Sequence, residues 1–459
     1  MVKEANQDMP VVDHLIPSGK KLTELVTRKI RGAHQSETEA DYLEAKTRIL
    51  ILGAGFGGLA TALNLDRYLD PGQDVSVLLI DRNNYSLFHP LLWTVASGRT
   101  SPGSIVVPIR TFQRGRSFHL LHAEILQIDL ENKIVHTSAG PRPYDYLVLG
   151  LGSMTAFPDL PGLKEHALPF HSPAHAMELR NHLIDAVEAA HQCEDDAERR
   201  AWLTFVVGGG GDTGVELAAT IREYLVDGLF RRYPWLVDAP VRIVLIGRAD
   251  RLVPMSTPAT SKAVQRVLEK EGIEVLTGVA VQGASEQAVQ TSKGEIPTRT
   301  FFWAAGISAS SLIRELKVEQ AGNGALILNK CLQIPGHEDV YVLGDIGWAF
   351  DAATNAPLPP TAQAAEHEGA YVAKALAARL KGQEIGPFMF KPRGHLALLG
   401  MRTGVAEVGP FTFTGLPAWL LWHTYYLSHI PSWRNRLQLF TNWFLAFWLG
   451  PETSQLRLE

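Results

Sequence analysis

Cysteine is almost absent: Cys193 and Cys331 are the two in 459 residues. So few exclude a disulfide framework, and neither belongs to a CxxC redox or zinc pattern. A reducing compartment fits. Positive charge is not in excess either. Lysine and arginine number 43 against 48 acids, a net charge of −5, so no global attraction for nucleic acid is expected. No apolar run approaches the ~20 residues that a membrane-spanning helix needs. The first 46 residues lack a continuous apolar core and carry Glu4, Asp8 and Asp13, so they read as neither a secretory signal nor a transit peptide.

What is present is a globular composition, 46% hydrophobic and 20% charged. The length exceeds one ordinary core, so two or three domains are expected. Residues 1–46 read as an extension, partly helical over 22–30. Tryptophan is unevenly placed: of ten, five (Trp419, Trp422, Trp433, Trp443, Trp448) fall in the last 41 residues. That break points to a separate C-terminal module facing a different solvent.

The stretch "TRILILGAGFGGLATALNL" predicts a buried strand over 49–52, a glycine turn and a helix. Gly53, Gly55 and Gly58 have GxGxxG spacing. The first permits the tight turn, the second lets backbone approach a pyrophosphate, and the third lets helix pack on strand. The helix N-terminus then offers free N–H groups to the phosphates. A second strand, "VSVLLID", ends in Asp81, 23 residues after Gly58, where a ribose-binding acid belongs.

"WLTFVVGGGGDTGVELAATI" repeats the pattern with Gly209, Gly211 and Gly214. Two such units imply two cofactors, a resident flavin and a visiting nicotinamide dinucleotide. The strand that should carry the second ribose acid, "RIVLI", ends instead in Gly247 and Arg248. Further on, "TRTFFWAAGI", "DVYVLGDIG" and "PLPPTAQAAEHEGAYVAKAL" follow in order.

At this point the chain resembles the type II NAD(P)H:quinone oxidoreductases, non-pumping enzymes among the two-dinucleotide-binding flavoproteins. "GAGFGG" and "NNYSLFHPLL" resemble the family's FAD segment, and "VVGGGGDTGVELA" its nicotinamide segment. "PPTAQAAEHEG" resembles its quinone motif AQxAxQxG, and "AWLLWHTYYL" with "RNRLQLFTNW" its membrane module. The likeness covers roughly 47–449.

The resemblance implies an α/β fold with two Rossmann-like domains, arranged as in glutathione reductase, plus a C-terminal amphipathic-helical membrane module. Residues 47–170 with 330–385 would bind FAD, 171–329 NADPH or NADH, and 386–459 the membrane. It places Asp345 against the ribityl and phosphate portion of FAD, and Glu188 where nicotinamide meets flavin. Glu216 would open the second phosphate-binding helix. Gln363 and His367 would face a membrane quinone; His367 stands where the family has glutamine, and an imidazole can also supply a proton near neutral pH. The family places glutamate where Gly247 stands. Gly247 with Arg248 therefore predicts acceptance of a 2′-phosphate, with Arg251 as a second candidate. No metal is implied.

From 408 to 433 no Asp, Glu, Lys or Arg occurs, yet Pro417 and Pro431 bracket only 13 residues. Another 13 apolar-rich residues, 437–449, follow Arg434 and Arg436. Two short aromatic helices joined by a basic turn predict a monotopic anchor on the cytoplasmic face, with tryptophans at headgroup depth. A homodimer interface would use the same residue types. Two rival functions stay open: a flavin-bearing binding or signalling protein with weak oxidase activity, and a sulfide or disulfide oxidoreductase on the same fold. The second needs paired cysteines beside a flavin motif, which neither Cys193 nor Cys331 provides.

Overall fold

The computed structural model describes residues 41–70, 73–392, 394–400, 403–409 and 411–456. The helix expected over 22–30 lies outside them.

Two mainly parallel sheets carry the molecule, the first with one antiparallel edge strand, Gln333–Ile334. The first runs Gln333–Ile334, His337–Val342, Tyr146–Leu149, Thr47–Leu52, Val75–Asp81, His119–His122. Its central strand pairs in parallel on both sides, Ile49 opposite Val77 and Tyr146, Leu52 opposite Ile80 and Leu149. Helices and loops cover both faces, so its strands read as unbroken apolar runs rather than alternating ones. Ile49, Ile51, Val77 and Leu79 pack one way, with Ala62 and Leu65 of helix Phe56–Tyr68 and Val372 and Leu376 of helix Ala362–Leu380. Leu50, Leu52, Leu78 and Ile80 pack the other way. Each such side chain contributes roughly 1.5–3 kcal/mol on burial.

The second sheet runs Leu168–Pro169, Thr300–Trp303, Thr204–Gly208, Arg242–Gly247, Ile273–Thr277, again with parallel pairing. Phe205, Val207 and Leu245 face one core; Val206, Val244 and Ile246 face another. The chain passes between the sheets where Met154–Thr155 pairs antiparallel with Ile307–Ser308. The first sheet therefore takes strands from both sides of the second in sequence.

The C-terminal segment holds more than helices. Strands His395–Leu398, Gly404–Val408 and Phe411–Gly415 form an antiparallel sheet. Helices Leu416–His429 and Trp433–Leu449 follow. The expected basic turn is corrected here, because Arg434 and Arg436 lie in the first turn of the second helix. Ser432 caps it by accepting from the Asn435 N–H at 3.5 Å. Arg436 donates back to Ile430 O at 2.6 Å and Ser428 O at 2.8 Å, closing the end of the preceding helix.

Asn435 ties the module to the first nucleotide unit through the carbonyls of Gly103, Ser104 and Val106. Trp422 is fully buried 5.3 Å from Trp93, so it belongs to the core rather than to a headgroup layer. Of the five C-terminal tryptophans only Trp433 and Trp448 are exposed. Among the described residues no helix is long and apolar enough to cross a membrane.

Candidate active site

The two glycine loops are built alike. Gly53 has φ +96° and Gly209 φ +136°, backbone that L side chains avoid. A Cβ on Gly58 would collide with Gly53 O, and one on Gly214 with Gly209 O. Those glycines let each helix sit down on its strand. The middle glycines differ: a Cβ on Gly55 or Gly211 meets no heavy atom within 4 Å. Each caps a helix, Phe56–Tyr68 or Asp212–Glu223, without a side-chain hydrogen bond. Open space in front of an uncapped helix N-terminus fits a pyrophosphate.

Asp81 ends its strand beside the first loop. Oδ2 accepts from the Ala54 N–H and Oδ1 from the Asn83 N–H, both at 2.7 Å. The carboxylate thus sets the loop's shape as well as offering lone pairs at its mouth. Asp345, in the turn Gly344–Ile346, accepts from Ser153 Oγ at 2.6 Å. Glu368 reaches the same turn, accepting from the Gly344 N–H at 2.6 Å; burial pushes its carboxyl up to about 7. The rings of His89 and His171 stand 5.2 Å apart, and burial holds both imidazoles below their ordinary range. Asp345 adds charge beside His171.

Glu216 lies one turn inside the second phosphate helix and is mostly buried. Burial and the neighbouring Asp212 push its carboxyl up to about 8. It accepts from the Leu398 N–H at 3.4 Å.

Gln363 and His367 share one face of Ala362–Leu380, and the His367 ring stands edge-on to Phe390 at 5.6 Å. This helix crosses the first phosphate helix at two glycines. A Cβ on Gly369 would strike Gly57 O, and one on Gly57 would lie 3.3 Å from Ala365 O. The two backbones touch, so the Gln363–His367 face is fixed relative to the first glycine loop.

The pyridine nucleotide-disulphide oxidoreductase family matches residues 47–369, and the NDH2 C-terminal domain matches 393–450. The type II NADH:quinone oxidoreductase Ndh of Mycobacterium tuberculosis is 32% identical over 436 residues, 90% of each chain. The chain belongs to the type II NADH:quinone oxidoreductases. It is an oxidoreductase. The type II enzyme of Staphylococcus haemolyticus is 29% identical over 81% of this chain and 92% of its own. The fold agrees with the solved NDH2 structure of Plasmodium falciparum in complex with NADH: TM-score 0.81, 22% identity, 89% of this chain and 100% of that one.

The second strand end differs from the first. Gly247 ends its strand with no side chain, and a Cβ there would meet Gly210 Cα at 3.4 Å and Leu252 Cδ2 at 3.8 Å, ordinary contacts. Arg248 is exposed beside it and makes no hydrogen bond or ion pair among the described residues. Arg251 is spent on its own turn, donating to Ser256 O at 2.8 Å and Pro254 O at 2.6 Å. It is structural.

Glu188 sits on the exposed face of helix Pro173–Gln192, accepting from Tyr233 Oη at 2.6 Å. The end of that helix near Asp345 is its start, just after His171. At 1.5 Å per residue Glu188 lies roughly 24 Å along it. The structure does not bring it to the nucleotide loops. Cys193, the C-cap of the same helix, and Cys331, in a turn held by Asn329, are both free thiols apart from the glycine loops.

Sequence reasoning missed Ser153, Glu368 as a buried acid, and the contact of Asp212 with His395, at 2.7 Å. Asp212 was visible inside "GGGGDTGVE". Its partner, 183 positions later, carried no local signal.

Proposed function

We propose that this chain oxidises a nicotinamide dinucleotide through non-covalent FAD and reduces a membrane quinone, without moving charge across the bilayer. The observation that carries the reading is the glycine crossing, which fixes the Gln363–His367 face against the helix of the first nucleotide loop. Bound FAD would supply the two-electron carrier between the substrates. The chain's own residues bind, orient and supply protons. Gly53, Gly55 and Gly58 with Asp81 and Asp345 hold the flavin nucleotide; Gly209, Gly211 and Gly214 receive the nicotinamide one. Gln363 can hydrogen-bond a quinone carbonyl, and His367 can also donate a proton to its oxygen.

Leu or Phe at Gln363 or His367 is expected to slow flavin reoxidation by a quinone roughly tenfold, the value of one lost hydrogen bond. Flavin reduction by NADH should keep its rate. Stopped-flow traces with the opposite split would move both residues to the nicotinamide side.

The chain is further proposed to lie on the cytoplasmic face of a membrane. Supporting this, Trp433, Leu437, Phe440, Phe444 and Trp448 recur every three or four residues along the last helix and all are exposed. Leu416, Leu420 and Leu421 add exposed apolar surface on its neighbour. Such a stripe, rimmed by Arg434, suits a helix lying in the interface. Between the helices a cleft of about 980 Å³, lined by Trp419, His423, Phe440, Trp443 and Phe447 among others, offers an isoprenoid tail an apolar path.

Deleting everything from Leu416 would also strip Trp422, Ile430 and Leu439 from the core. Point changes are the cleaner test. Glu at Leu437, Phe440 and Phe444 together is expected to shift the protein from sedimenting with anionic vesicles to the supernatant, with flavin reduction by NADH unchanged. If the variant still sediments after a salt wash, the anchor lies elsewhere. If it stays soluble but passes from dimer to monomer on a sizing column, the stripe is a subunit interface.

A further inference from the structure

The second phosphate helix opens on an acid. Asp212 follows Gly211 directly, and its side chain is 49% exposed at the helix N-terminus. The backbone N–H groups there are what a pyrophosphate needs. A bare carboxylate at the same place competes for the positive end of the helix and repels the ligand.

A side chain from the C-terminal sheet answers it. His395 opens the strand His395–Leu398 and brings Nε2 within 2.7 Å of Asp212 Oδ1. Its Nδ1 is buried without a hydrogen-bond partner. Leu398, on the same strand, donates its N–H to Glu216 one turn further along the helix. One strand therefore grips both acids of the phosphate helix.

The other groups facing this ring are acidic too. Glu407 is its register partner on the next strand and accepts from Thr257 Oγ1 at 3.2 Å. Glu216 faces the ring from the helix but, with its carboxyl held up to about 8, adds its charge only as the pH nears that value, and Tyr426, from Leu416–His429, feels both Asp212 and Glu216. Burial works to lower the imidazole's pKa. The Asp212 hydrogen bond and the charge of Asp212, with Glu407 and, as it ionises, Glu216 adding theirs, outweigh it and hold the ring above its ordinary value.

The geometry points to His395 as a positioning residue for nicotinamide-dinucleotide binding: its imidazolium holds Asp212 against the C-terminal sheet and cancels its charge, leaving the helix N-terminus to the pyrophosphate. This rests on the second unit being the nicotinamide site. While the ring is protonated, Asp212 is neutralised. As pH rises through the ring's titration, the positive charge is lost and dinucleotide affinity falls. The C-terminal module thereby takes part in the nicotinamide half-reaction as well as in membrane contact.

The test measures NAD⁺ binding to the FAD-loaded protein by calorimetry between pH 5.5 and 8.5. NAD⁺ does not reduce flavin, and its pyrophosphate does not titrate in this range. The wild-type Kd is expected to rise roughly five- to tenfold across the range, the usual size of a single coupling. His395→Gln, which keeps a donor but no charge, should bind at the weak high-pH level throughout. Asp212→Asn should bind tightly throughout, and adding it to His395→Gln should restore tight binding. A purely structural role for His395 would leave the double variant weak.

A flat wild-type profile, wild-type behaviour in His395→Gln, or no rescue by Asp212→Asn overturns the inference. If no form binds NAD⁺ or NADP⁺ while all retain flavin, the nicotinamide reading of the second unit falls with it.

Discussion

Gly55→Val protein is expected to fold, to purify in normal yield, and to be colourless. Gly55 has φ −73°, a conformation open to any residue, and a Cβ there meets no protein atom within 4 Å. The apoprotein therefore has no reason to object to the side chain. The cofactor does, because that space lies before the N–H groups of the first phosphate helix. Pushing the pyrophosphate back by one branched side chain removes at least two charge-assisted hydrogen bonds, each of roughly 1.5–3 kcal/mol. That weakens FAD by about 10²- to 10⁴-fold, enough to lose it on a column.

Gly58→Val is the informative contrast. Its Cβ would strike Gly53 O, so that variant should lose stability rather than flavin alone. Gly211, equally open at φ −83°, predicts the twin result: Gly211→Val should keep its flavin and lose nicotinamide binding. A Gly55→Val protein with normal circular dichroism and both flavin absorption bands would show that the first loop does not hold the cofactor.

The nucleotide units were legible because their physics is local. A parallel strand covered on both faces must be apolar along its buried length, and "ILIL" (49–52) and "FVVG" (205–208) are. The glycine spacing follows from one turn and one close contact. Each strand lies within a residue or two of its expected place; "VSVLLID" is the strand Val75–Asp81 as read.

What was not legible depends on partners far away in sequence. The sheet over 395–415 has short strands, and the residues of Phe411–Gly415 are nearly all exposed, so no inside-outside alternation marks them. The last helix begins at Trp433 despite its arginines, because Arg436 finds carbonyls of the previous helix that the sequence cannot show. The place of Glu188 was hidden for a related reason. Which end of its 20-residue helix meets the first nucleotide unit is decided by packing around its start. Glu216 falls in the helix Asp212–Glu223 because its position is tied to the glycine motif itself.

A preference for NADPH over NADH is the expected result at the end of the strand Arg242–Gly247. In the first unit Asp81 occupies the strand end, and its carboxylate shapes the loop. In the second unit the counterpart is Gly247, and the loop is held instead by the Val253 N–H donating to Gly210 O at 2.7 Å. With its structural task done by backbone, the missing acid costs the fold nothing. Its absence removes the charge that would repel a 2′-phosphate. Arg248, exposed at the same edge, presents a guanidinium suited to bidentate phosphate binding, whereas Arg251 is already committed to Ser256 and Pro254. The contacts around Gly247 leave room for a side chain, so Gly247→Glu with Arg248→Ala should fold normally. A charge-assisted contact of roughly 1.5–3 kcal/mol implies a shift of about ten- to a hundredfold toward NADH in the ratio of kcat/KM values. Most of it should appear in KM for NADPH, because the 2′-phosphate binds equally in ground and transition states. Raising salt should narrow the wild-type preference, since Arg248 is exposed and its field is screened. A wild-type enzyme that strongly prefers NADH, with the double change leaving the ratio where it was, would mean that Arg248 faces solvent and never meets the nucleotide.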